Sequence, residues 1–100
     1  NPGIHCVAVQ PDSPFHGLEG LKHLETALVP GIYDPSLVDE HLGAPTEASL
    51  ALLRRLAREE GLLAGPSGGA ALWAAVQVAQ RLSSGVVVTL FPDSGERYLA

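Results

Sequence analysis

Residues 65–69 read Gly-Pro-Ser-Gly-Gly, a single hydroxyl set among residues with little or no side chain. Three chemistries fit that pattern. In the simplest, Ser67 caps a following helix and the glycines permit a tight turn. In the second, G-x-S-x-G between a strand and a helix is a hydrolase nucleophile elbow, whose triad runs Ser, acid, His along the chain. Asp93 follows Ser67, but His5, His16, His23 and His41 all precede it, so a hydrolase needs its His beyond residue 100. In the third, the start of a helix lets a flat ring approach bare glycines, and one hydroxyl meets one ring heteroatom of a cofactor. A phosphate-binding P-loop is excluded, because no Lys follows the glycines.

The elements that position this turn follow from pattern. His5-Cys6-Val7-Ala8-Val9 is a short apolar run closed by Pro11-Asp12, and it predicts a buried strand. Residues 11–36 are rich in Gly, Pro, Asp and Ser and predict a long loop, with a short helical turn at 36–40 capped by Ser36. A helix is predicted over 46–60, with Thr46 as N-cap, Glu47 in the first turn and Gly61 at the C′ position. Leu52, Leu53, Leu56 and Ala57 form its apolar stripe, and Arg54, Arg55, Arg58, Glu59 and Glu60 form a solvated face. Leu62-Leu63-Ala64 reads as a strand, 70–82 as a largely buried helix, and 86–91 as a β-branched strand covered on both faces. Pro92-Asp93-Ser94-Gly95 closes it with turn chemistry. Strands alternating with helices predict an α/β fold with a parallel sheet, whose ligands bind beyond the carboxyl ends of the strands. The loops after Val9, Ala64 and Phe91 qualify.

Composition bounds the function. The 100 residues fit one domain at most, and 6 Lys plus Arg against 11 Asp plus Glu argue against a nucleic-acid partner, which needs a basic face. No apolar stretch approaches the roughly 20 residues of a membrane span, and the first residues lack the features of a signal peptide. Lone Cys6, predicted to be a buried small hydrophobe, excludes an internal disulfide and a Cys-based zinc site; no metal is expected. A cytoplasmic protein is the expectation. The opening Asn1-Pro2-Gly3, with no initiator Met, reads as a cut through a longer chain.

Four motifs resemble one family, the PLP-dependent cysteine synthases, or O-acetylserine sulfhydrylases. Residues 56–71, from Leu56-Ala57-Arg58-Glu59-Glu60-Gly61 through Gly65-Pro66-Ser67-Gly68-Gly69 to Ala71, are similar to the family's serine-glycine turn region. Residues 86–99, with Val86-Val87-Val88-Thr89-Leu90-Phe91-Pro92-Asp93-Ser94-Gly95, resemble its terminal core strand and loop. Val9-Gln10-Pro11 resembles its strand-end V-E-P, and residues 29–40, Val29 to Glu40, are closest to the B-type branch. The resemblance spans essentially the whole chain, in order and with matching spacing.

The resemblance implies the tryptophan-synthase-β-like fold, that of fold-type II PLP enzymes. Residues 1–100 would form part of the large cofactor domain, in a parent chain extending on both sides and assembling as a homodimer. It implies that Ser67 hydrogen-bonds the pyridine nitrogen of pyridoxal 5'-phosphate. A hydroxyl donates to an unprotonated nitrogen and moderates the electron sink, which favours β-elimination over transamination. Gly65, Asp93 and Ser94 would lie one layer out from the ring. The sequence departs from the family where Gly68 replaces a frequent second hydroxyl and Pro66 an aliphatic residue. The Schiff-base lysine and the Gly/Thr-rich phosphate loop are expected upstream, so no catalytic residue is assigned here. Lys22, the only Lys, does not match the lysine motif; on the loop Gly20-Leu21-Lys22-His23-Leu24 it would attract an anionic sulfur donor or a substrate carboxylate, or simply be solvated. The implied reaction makes L-cysteine from O-acetylserine and sulfide or another sulfur donor, by β-elimination and β-replacement. Cystathionine β-synthase, an α/β-hydrolase segment with Ser67 in its elbow, and a non-catalytic α/β binding module are the alternatives.

Overall fold

The computed structural model describes residues 1, 3–13, 18, 31, 32 and 34–98. Strand β1, Val7–Pro11, pairs in parallel with strand β2, Glu40–Ala44, so that Val7 stands opposite Glu40 and Pro11 opposite Ala44. Helix α1 spans Thr46–Glu60 and helix α2 spans Pro66–Gln80. Short 3-10 turns occupy Pro35–Leu37 and Gly95–Tyr98. The α/β class and the parallel pairing are as expected. Helix α2 packs on both strands, and α1 packs on α2. Leu18, Ala44 and Ala70 form the buried core, with Val9, Leu50 and Trp73 packed around them. Among the described residues no helix is long and apolar enough to cross a membrane.

Helix α1 has the predicted length and faces. Leu56 is buried, Leu52, Leu53 and Ala57 are half-buried, and the five charged residues are exposed. Arg55 and Glu59, one turn apart, form an exposed ion pair at 2.7 Å that contributes little to stability. The N-cap is Pro45, not Thr46. Pro45 holds the extended conformation of a cap, its carbonyl accepts from the Ser49 hydroxyl at 2.7 Å, and no side chain caps the first turn. Gly61 ends the helix at φ 68°, with its N–H donating to Ala57 O at 3.2 Å. Any Cβ is strained there, so Gly61→Ala is expected to cost about 1 kcal/mol. A lowered urea midpoint at unchanged slope checks this; an unaltered midpoint would contradict the left-handed cap.

The structure corrects four other sequence expectations. Strand β2 was not foreseen: Glu40-His41-Leu42-Gly43-Ala44 includes a Gly and a single large aliphatic residue, and its extended form comes from pairing with β1. The turn placed at 36–40 covers Pro35–Leu37 instead, and its cap is Asp34. Asp34 Oδ1 accepts from the Ser36 hydroxyl at 2.6 Å and the Ser36 N–H at 3.0 Å, which lowers its carboxyl pKa below the ordinary value. Residues 86–91 form no ladder with a described strand, and Val86 and Val88 are 90% and 86% exposed rather than covered. Their β-branched run records a burial that the described residues do not supply. Cys6 lies before β1 and is exposed, with its N–H donating to Asp39 Oδ2 at 2.7 Å.

At the amino end of the sheet, Glu40 accepts from His5 Nε2 at 3.0 Å and from Arg81, whose guanidinium nitrogen lies 3.0–3.1 Å away. The His5 hydrogen bond first, and then the Arg81 bond, hold the Glu40 carboxyl below its ordinary pKa of 4.5. A depressed folded-state pKa means that the contribution is present above 4.5 and is lost as pH falls through the lower folded value. Glu40→Gln is therefore expected to flatten the acid limb of stability against pH, read by circular dichroism. A limb of unchanged steepness would count against it.

Candidate functional site

Ala70 is buried against Ala44, the last residue of β2, so α2 begins over the carboxyl ends of the paired strands. That is where an α/β sheet binds its ligands. The helix starts at Pro66, four residues before the predicted start. Gly65 is the N-cap, and Pro66 supplies a first helical residue whose missing N–H costs nothing. Ser67 is therefore inside the first turn and does not cap the helix, which corrects the capping expectation; no side-chain bond caps α2. Ser67 is only 6% exposed, and among the described residues nothing accepts a hydrogen bond from its hydroxyl.

The loop at 92–95 folds back onto the same turn. Gly65 N–H donates to Asp93 O at 3.3 Å, Gly95 N–H donates to Leu63 O at 3.0 Å, and Ala64 and Ser94 form an isolated antiparallel bridge. The predicted strand at 62–64 is reduced to that bridge. Gly65, Ser67, Asp93 and Ser94, singled out from sequence, thus come together at one end of α2. Asp93 Oδ1 is buried in this corner. Ser94 is exposed, and its hydroxyl accepts from Glu96 N–H at 3.4 Å, a local turn contact. Lys22 and the 20–24 loop lie outside the described residues.

Sequence reasoning missed Phe91. A methyl placed on Gly68 would stand 3.2 Å from Phe91 Cδ1 and 3.1 Å from Ala64 Cβ, so the absent side chain at 68 is matched by an aromatic ring. The signal was Gly68 itself, in a helix and at a position where the resemblance leads one to expect a hydroxyl.

The hydrolase arrangement does not assemble among the described residues. His5 and His41 both stand at the amino ends of the strands, opposite Ser67, and His5 is engaged by Glu40. Nor does any group of three or more His, Cys, Asp and Glu among the described residues come close enough to hold a metal ion. The corner offers instead one hydroxyl, on a buried residue, beside glycine backbone. That donor set suits the uncharged nitrogen of a flat ring.

Comparison with known proteins agrees. A cysteine synthase of Aquifex aeolicus is 47% identical over 103 residues, covering 99% of this chain and 32% of the relative. The structure of a cysteine synthase from Entamoeba histolytica superposes with TM-score 0.90 at 28% identity, over 100% of this chain and 32% of that one. An O-acetylserine dependent cystathionine β-synthase from Helicobacter pylori gives TM-score 0.84 at 34% identity, over 98% and 34%. The chain spans about a third of the length of the curated relatives it matches. These likenesses make the α/β corner part of a fold-type II architecture. The profile described as pyridoxal-phosphate dependent enzyme matches residues 1–93, and the chain belongs to that family.

Proposed function

We propose that this chain is part of the large cofactor domain of a cysteine synthase, which makes L-cysteine from O-acetylserine and sulfide or another sulfur donor. The observation that carries the reading is Ser67, 6% exposed in the first turn of α2 where the 92–95 loop folds back, in a chain 47% identical to a cysteine synthase. Pyridoxal phosphate, when bound, supplies the electron sink for β-elimination and β-replacement. Ser67 donates to its pyridine nitrogen and holds the ring in register; being neutral, it leaves that nitrogen unprotonated. Gly65, Asp93 and Ser94 build the wall behind Ser67, through the Gly65–Asp93 main-chain bond and the Ala64–Ser94 bridge. The Schiff-base lysine and the phosphate loop belong to the rest of the protein. Lys22 draws the anionic donor or the substrate carboxylate to the site. The protein works as a cytoplasmic homodimer on small molecules.

The test uses the full-length protein loaded with pyridoxal phosphate. Acetate release from O-acetylserine and cysteine formation with sulfide are expected. Loaded protein that releases no acetate would sink the reading. The likeness to an O-acetylserine dependent cystathionine β-synthase gives a second reading, in which homocysteine is the nucleophile. Cystathionine formed from homocysteine faster than cysteine from sulfide decides for it.

A further inference from the structure

We propose that Phe91 is the positioning residue for Ser67: its ring, seated on the bare face of Gly68, fixes the first turn of α2 and with it the Ser67 hydroxyl. The inference rests on the reading that Ser67 meets the cofactor ring, and it adds what holds Ser67 in place.

The first turn of α2 has little of its own to hold it. No side chain caps it, and Gly68 and Gly69 are poor helix residues that present no side chains to pack. Its position is therefore imposed from outside, on two sides. On one side Gly69 lies against the Ser49 carbonyl and the Leu53 Cβ of α1. On the other, the place of a Gly68 side chain is bounded by Phe91 Cδ1 at 3.2 Å and Ala64 Cβ at 3.1 Å. Ala64 is a single methyl, whereas Phe91 is a large side chain. Phe91 also stands two residues before Asp93, whose carbonyl accepts from Gly65 N–H, so ring and loop grip the same turn. Gly68 and Phe91 are complementary in size: a Cβ at 68 would crowd the ring edge at 3.2 Å and Ala64 Cβ at 3.1 Å. This explains the departure from the family pattern at residue 68 by packing, and leaves Ser67 as the hydroxyl that the turn presents.

The experiment is made on the full-length holoenzyme, with pyridoxal phosphate as the probe. The readouts are the absorption and emission maxima of the bound cofactor, its dissociation constant, and the melting temperature. Ser67→Ala reports the signature of losing the hydroxyl. Phe91→Ala is expected to move the cofactor spectrum in the same direction and to weaken cofactor binding roughly three- to tenfold, the worth of one net hydrogen bond. Gly68→Ala combined with Phe91→Ala returns a methyl to the vacated space and is expected to recover part of both effects. Phe91→Leu, a milder change that spares folding, is expected to give a smaller shift of the same sign.

A Phe91→Ala or Phe91→Leu protein that melts earlier but keeps the wild-type spectrum and dissociation constant overturns the proposal while leaving Ser67 in its role. A Phe91→Ala shift that the double variant does not reduce overturns the route through Gly68. An unchanged cofactor spectrum in Ser67→Ala removes the underlying reading, and the proposal with it.

Discussion

Gly69→Val is expected to be the most damaging single substitution to the fold, costing about 3 kcal/mol, the upper part of the usual range for overpacking. A Cβ at Gly69 would lie 2.6 Å from the backbone carbonyl oxygen of Ser49, and 3.3 Å from Leu53 Cβ. Side chains swing away from such overlaps, but a carbonyl in the middle of a helix does not, because it belongs to the hydrogen-bond ladder. The two helices must separate or one must break. Ser49 is fully buried and turns its hydroxyl back onto Pro45 O, so α1 already presents its smallest face at this crossing. No substitution at Ser49 can rescue Gly69→Val, since the clash is with the main chain. In the full-length protein, at about three times the length of this chain, the loss should appear as a melting temperature lower by about 5 °C, since an unfolding entropy of roughly 2.1 cal/mol/K per residue makes 1 kcal/mol worth about 1.6 °C. A Gly69→Val protein as stable as wild type would mean that α1 and α2 do not cross here.

Much of this architecture is legible where local physics decides it. The extent of α1 follows from its stripe of Leu52, Leu53, Leu56 and Ala57 and from Gly61, which the structure places in the left-handed conformation. The alternation of strand and helix foretells a parallel sheet, although the pair that forms joins β1 to a strand outside that alternation. Two of the misses depend on partners distant in sequence. Glu40–Ala44 is a strand because β1 lies beside it, which no local pattern in those five residues announces. The run at 86–91 is a strand by composition, yet nothing among the described residues pairs with it, because hydrophobicity records the environment of the whole protein.

The site divides in the same way. The residues at 65–69, 93 and 94 stand out by type in the sequence, and the structure brings them together through two main-chain bonds. The capping role of Ser67 was a misreading of helix entry. A Pro is welcome at the first helical position, so Gly65 is displaced to the cap and Ser67 drawn inside. Phe91 was invisible because its partner is a missing atom: only in three dimensions does the place of an absent Cβ at Gly68 lie 3.2 Å from the edge of a ring.

Ser67→Ala is expected to separate function from folding. The hydroxyl neither caps α2 nor donates to any described residue, so its removal takes no cap and no hydrogen bond from the fold and should leave the melting temperature close to wild type. The cofactor reading places the cost elsewhere. A buried ring nitrogen deprived of its donor loses about 1–3 kcal/mol. If that loss falls on the reacting complex, kcat/KM should drop by a factor of about 5–150. Ser67→Thr, which keeps a hydroxyl, should retain more activity than Ser67→Ala. Ser67→Asp makes the sharpest contrast. A carboxylate there would hold the ring nitrogen protonated and deepen the electron sink, so transamination should rise at the expense of cysteine formation. Equal kcat/KM in Ser67→Ala and wild type, at equal cofactor occupancy, would refute the assignment of Ser67. So would an Asp variant that loses activity without any gain in transamination, since the ring nitrogen would then not be what residue 67 touches.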